Sequence, residues 1–134
     1  MPSTLDAGLV GTAQTRVTEA NTALALGSGL VPVYATPALV ALLEEAAVNA
    51  LKPLLEAGKT TVGTRIDVKH LAATPIGMVV RAKATLSAID GRRLVFDVVA
   101  HDEAEQIASG IHERVLVDEQ RFLARVQEKI SHTD

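Results

Sequence analysis

The chain contains no cysteine and no tryptophan. Without thiols there can be no disulfide, no zinc–thiolate centre and no cysteine nucleophile. Aromatic residues are reduced to Tyr34, Phe96 and Phe122. The interior must therefore be Val, Leu, Ile and Ala, and no aromatic platform for stacking bases exists. Excess positive charge is also missing: the net charge is −3, which argues against a nucleic-acid partner. No apolar run approaches the ~20 residues of a membrane span, so no membrane partner is expected. Met1 to Asp6 lack the charged start and apolar stretch of a signal peptide, and the expected location is the cytoplasm. What is present is 134 residues with 48% hydrophobic content. That is enough for a single domain over 1–134 with its own core, and neither a repeat nor a linker interrupts it.

Periodicity divides the chain into a helix and a series of strands. Residues 11 to 20 alternate weakly and predict a first strand. Residues 21 to 32 are small and apolar around Gly27-Ser28-Gly29 and predict a flexible segment with a short helical turn. Thr36-Pro37 reads as an N-cap followed by proline at the first helical position. The helix it opens runs to about residue 51, with Pro53 interrupting it. Its apolar residues face nearly all directions, which predicts a helix wrapped by the rest of the fold. Strands are expected at 60–71, 77–88, 92–101 and 106–117, with Asp90-Gly91 as a hairpin turn. A short amphipathic helix at 118–130 presents Phe122, Val126 and Ile130 at i, i+4 and i+8. One buried helix followed by a four-stranded antiparallel meander is an α+β plan. Dimerisation is the simplest way to bury what one such layer leaves uncovered.

Three reactive side chains stand out against this frame. Thr36 opens the helix, Glu44 lies inside it, and His70 lies in the first strand after it. A hydroxyl, a carboxylate and an imidazole are the parts of an acyl-transfer or hydrolysis site. Each has a plainer explanation. Thr36 can be a simple cap, a carboxylate among Leu and Ala can be Glu44 or Glu45, and a strand histidine is usually structural. His101 and His112 compete with His70, His112 more strongly because Glu113 and Arg114 adjoin it. Gly63 interrupts a strand, which signals a bulge, a close approach of backbone to ligand, or both. The scattered histidines show no metal-ligand spacing, so neither a metal nor another cofactor is expected.

Several motifs add to this reading. They are Val33-Tyr34-Ala35-Thr36, Leu42-Leu43-Glu44, Val62-Gly63-Thr64 and His70-Leu71-Ala72-Ala73-Thr74-Pro75. Gly91-Arg92-Arg93-Leu94, Ala100-His101-Asp102 and Gly110-Ile111-His112-Glu113-Arg114 follow. Together they resemble the hotdog-fold acyl-CoA thioesterases, most closely the fluoroacetyl-CoA thioesterase branch. The resemblance implies a hotdog fold, a curved antiparallel sheet wrapped around one long central helix. It implies a homodimer, or a larger oligomer built on it, with the active site at the subunit interface. It implies Thr36, Glu44 and His70 as the catalytic set, Gly63 and Arg114 beside the substrate, and an acyl-CoA as partner. The implied reaction is hydrolysis of a short or small acyl-CoA thioester to carboxylate and coenzyme A. The fluoroacetyl branch carries phenylalanines in the lid segment before the helix, whereas Leu26 to Pro32 contain none. The chemistry is therefore expected to carry over, and the fluoroacetyl selectivity is not. The alternative is a non-catalytic acyl-CoA-binding protein on the same fold. A hotdog hydratase would want an Asp/His pair in a longer motif, which is not found.

Overall fold

A computed structural model describes residues 5–131. Strand β1 is Val10–Arg16, and the short helix α1 is Ala23–Leu26. The long helix α2, Thr36–Leu51, follows, and then come β2 (Lys59–His70), β3 (Val79–Asp90), β4 (Arg93–His101) and β5 (Gln106–Asp118). Helix α3, Glu119–Ser131, is the last element. All five strands form one antiparallel sheet in the order β1-β3-β4-β5-β2. Only β3–β4–β5 is a meander. The expected four-stranded meander is corrected here: β2 pairs with β5, not with β3. The connection after His70 must therefore cross the end of the sheet. It is pinned there by Thr74, buried, whose hydroxyl donates to Asp102 Oδ2 at 2.8 Å. Among the described residues, β1 and β2 are the sheet's two edges.

Alternation places one face of the sheet on α2. Val80, Ala82, Ala84 and Leu86 of β3, with Leu94, Phe96, Val98 and Ala100 of β4, are buried. They meet Leu39, Leu42, Leu43, Ala46, Ala47, Ala50 and Leu51 of α2. Each fully buried leucine contributes roughly 1.5–3 kcal/mol relative to exposure, so this layer accounts for the helix better than propensity does. The helix gives way at Lys52 to a 3-10 turn, Lys52–Leu54, because Pro53 has no N–H to continue the ladder. The wrapping is one-sided within the subunit: Val40 and Val48 are only half-buried and Ala41 is exposed.

Two local expectations shift. β1 stops at Arg16, because Thr18 and Asn21 form a reciprocal capping box for the turn Glu19–Asn21. The β3–β4 hairpin pairs Asp90 with Arg93, so its two central residues are Gly91 and Arg92. Gly91 supplies the positive φ of +62° that such a tight turn requires. Helix α3 forms as expected, but Val126 and Ile130 of its apolar stripe stay exposed and Phe122 is half-buried. No helix among the described residues is long and apolar enough to cross a membrane.

Candidate functional site

Thr36 is not the N-cap of α2. Ala35 holds that position and offers no side-chain cap, Thr36 is the first helical residue, and Pro37 follows it. The threonine hydroxyl is thereby free of the backbone and lies 2.8 Å from His70 Nδ1. The register that brings them together is fixed on both sides. Tyr34 N–H donates to Thr74 O at 2.9 Å and Ala35 N–H to Asn21 O at 3.0 Å. His70 closes β2 opposite Ala108. Its Nε2 is buried and has no hydrogen-bond partner among the described residues. Burial lowers the His70 pKa, with the Ala72 backbone opposing the shift, so the imidazole is neutral near pH 7 and can accept a proton. The pair borders a cavity of about 380 Å³ whose other walls include Ala23, Gly29, Val31, Val33, Leu71 and Ala72.

Glu44 occupies a second centre. Its carboxylate is partly exposed and faces the sheet, whereas Glu45 is exposed. Glu44 Oε2 lies 3.8 Å from Arg114 Nη1 and 4.0 Å from His112 Nε2. It also lies against Gly63, where a Cβ would stand only 2.7 Å from Oε2. The ladder shifts register between Gly63 and Arg65, so Gly63 sits at the expected bulge, and what its backbone approaches is the Glu44 carboxylate.

Arg114 is buried, with 7% exposure, and three of its five donors are used within the protein. Nε donates to Thr61 Oγ1 at 2.9 Å, Nη2 to Thr61 O at 3.1 Å, and Nη1 to His112 Nε2 at 3.1 Å. His112 in turn has Nδ1 2.8 Å from Arg65 O. A carbonyl only accepts, so Nδ1 carries the proton and Nε2 is the acceptor for Arg114. Burial first, then Arg114, lowers the His112 pKa against the opposing pulls of the Arg65 carbonyl and Glu44. The imidazole also stacks on Phe96, with centroids 6.4 Å apart. His112 and Arg114 recur at period two, so they share the face of β5 that meets Glu44, while Glu113 turns outward to Arg65 and Arg93. His112 is thus the residue that sequence reasoning ranked second and that the structure places at the carboxylate.

The expected catalytic set therefore falls into two parts within one subunit: Thr36 with His70, and Glu44 with Gly63, His112 and Arg114. Thr36 and Glu44 are eight residues apart on one helix, a rise of about 12 Å. No hydrogen bond or ion pair among the described residues joins them. Among the described residues there is also no group of three metal-ligating side chains. His101 stands apart at the end of β4, exposed.

Comparison with known proteins identifies the family and the fold. The sequence model of the family described as fluoroacetyl-CoA-specific thioesterase matches residues 17–120. A fluoroacetyl-CoA thioesterase from Streptantibioticus cattleyicolor is 45% identical over 97 residues, covering 72% of this chain and 70% of the relative. A solved fluoroacetyl-CoA thioesterase, FlK, superposes with a TM-score of 0.89 at 37% identity, covering 95% of this chain and 98% of that one. Variants of that enzyme were solved with acetyl-CoA and with fluoroacetate and CoA. A Thermus thermophilus thioesterase superfamily member gives a TM-score of 0.87 at 28% identity, over 97% of this chain and 98% of that one.

Proposed function

The chain belongs to the fluoroacetyl-CoA-specific thioesterase family, and on that premise we propose a mechanism in which two subunits share each active site. The fold is the hotdog fold, and the activity is hydrolysis of an acyl-CoA thioester to carboxylate and coenzyme A. The observation that carries the mechanism is the Thr36–His70 pair beside an apolar cavity, with His70 Nε2 buried and unmatched. A nucleophile–base pair of this kind is completed by a group that orients the base. Glu44 of the partner subunit is the candidate for that third group, because the subunit's own Glu44 is a dozen ångströms along the helix. The long edge strand β2 and the uncovered side of α2 are the surfaces such a homodimer would join.

In this mechanism the acyl group occupies the apolar cavity and its carbonyl oxygen faces the amino end of α2. There the unpaired N–H groups and the positive end of the helix stabilise developing negative charge. His70 takes a proton from water, or from the Thr36 hydroxyl, as the oxygen attacks the carbonyl carbon. The same proton is then delivered to the departing coenzyme A sulfur. If Thr36 attacks, a second round with water frees the carboxylate. Glu44, fixed by Gly63 and aligned by Arg114, orients His70 or the attacking water. Arg114 acts through Glu44: Thr61 and His112 hold its guanidinium in place, 3.8 Å from the Glu44 carboxylate. The cavity holds no aromatic side chain other than Tyr34, which favours a small acyl group over one tailored to fluoroacetyl.

The test is turnover of an acyl-CoA panel, fluoroacetyl-CoA included, followed by thiol release. A thioester in the panel should be cleaved, and His70→Ala should abolish the cleavage. Ligand-induced thermal stabilisation with no thiol release from any thioester would instead describe a binding protein.

A further inference from the structure

Along β2 from Gly63, four cations gather around a single carboxylate, Asp118. Lys59 starts β2, Arg92 sits at the tip of the β3–β4 hairpin, and Arg121 and Arg125 lie one turn apart on α3. They line one concavity of about 230 Å³ together with Phe122, Leu116 and Asp118. Among the described residues none of the four makes a salt bridge. Asp118 is the single carboxylate in the lining, and its Oδ1 already accepts from Arg121 N–H at 3.0 Å. Four like charges against one carboxylate, on a chain whose net charge is −3, repel one another unless an anion joins them. Phe122 contributes a half-buried ring to the same wall, an apolar surface on which a base can stack.

The placement relates this concavity to the catalytic residues. Lys59, Thr61 and Gly63 follow at period two on β2, and Asp118, Leu116 and Arg114 stand opposite them on β5. One sheet face therefore leads from the Glu44–Gly63 contact to the cations, with Lys59 about 13 Å along the strand from Gly63. Helix α2 lies mainly on β1 and β3, so it does not cover this face as it does theirs. A thioester held near Glu44 would lead its pantetheine arm in this direction. Resting on the thioesterase reading, we propose that Lys59, Arg92, Arg121 and Arg125, with Phe122, bind the phosphorylated adenosine end of the acyl-CoA. The arginines offer forked donors matched to phosphate oxygens, and the flat ring of Phe122 receives the adenine.

The test compares the full-length wild type with Arg92→Gln/Arg121→Gln/Arg125→Gln. All three side chains are exposed, and unchanged thermal melting checks that the variant folds. Adenosine 3′,5′-bisphosphate, titrated by calorimetry, should bind the wild type and bind the variant at least roughly tenfold more weakly. The preference in kcat/KM for an acyl-CoA over the matching acyl-pantetheine should fall by a similar factor. No binding of the bisphosphate to the wild type, or equal binding to both proteins, overturns the proposal. So does an unchanged preference for the CoA thioester. The calorimetric readout does not need turnover, so a wild type that binds the bisphosphate yet cleaves no thioester would count against the hydrolytic reading alone.

Discussion

His70, half-buried, and His112, fully buried, are both strand histidines with lowered pKa values, yet their surroundings leave them opposite tasks. His112 has a carbonyl on one nitrogen and a guanidinium on the other. It can neither take nor give a proton without breaking a bond, so it serves as a spacer that aligns Arg114. His70 has a hydroxyl on one nitrogen, and its other nitrogen has no partner among the described residues. A buried ring nitrogen left unmatched is destabilising by itself, and the proposed mechanism fills that place with Glu44 of the partner subunit. The difference teaches that satisfaction of polar atoms, more than pKa, separates the imidazole that the proposed mechanism uses from the one that packs.

The largest expected effect breaks the comparison at its reactive side. His70→Ala should lower kcat/KM by about 10²–10⁴, the usual contribution of a general base, with the thermal midpoint little changed. Turnover within threefold of wild type would remove His70 from the mechanism. Arg114→Met strikes the other side. It strips a charge-assisted bond from His112 and two from Thr61, and should cost about 2–3 kcal/mol of stability in urea unfolding. A cost under about 0.5 kcal/mol would mean that the buried network is not needed. Gly63→Ala sharpens the contrast, because its Cβ pushes on Glu44 Oε2. Overpacking of that kind costs about 1–3 kcal/mol. The expected result is roughly tenfold slower turnover, with the carboxylate moved and the fold retained. Full activity would show that the Glu44 position is not critical.

The smallest effect is in pH. Burial lowers both histidine pKa values relative to the unfolded chain. The unfolded chain therefore takes up protons first as pH falls. The stability tied to these groups is complete above about pH 6.5 and declines as pH drops through the lower folded values. The urea midpoint should be lower at pH 5.5 than at pH 7.5, and His112→Asn should lessen the difference. The acid limb of kcat/KM, which reports His70, should lie below the ordinary histidine value. A limb above it would contradict the burial argument.

Much of this was legible in the residues. Alternation located β2 to β5 to within about two residues, and Pro53 marked the end of α2. The neighbour order was not legible, since alternation identifies strands and not their partners. It took the crossing pinned by Thr74 and Asp102 to put β2 beside β5. Thr36 was found for an incomplete reason. Its residue type suggested a cap, but the cap position falls on Ala35, and the hydroxyl turns to a histidine 34 residues away. Glu44 and Glu45 were indistinguishable by pattern because the helix is apolar on several sides. The structure separates their positions, because Glu44 is the one of the two whose carboxylate lies against Gly63. His112 carried a usable signal in its i, i+2 pairing with Arg114. The cations on Lys59, Arg92, Arg121 and Arg125 come from three separate segments, and no local pattern joins them.

The central claim is that Thr36 and His70 of one subunit work with Glu44 of the other. Two inactive proteins, His70→Ala and Glu44→Gln, can be mixed under conditions that exchange subunits. In each hybrid dimer one site would keep both residues and the other neither. Random exchange makes half of the dimers hybrids, so about a quarter of wild-type turnover should return. Mixed dimers that form, verified by mass, and show no recovered turnover would contradict the shared site.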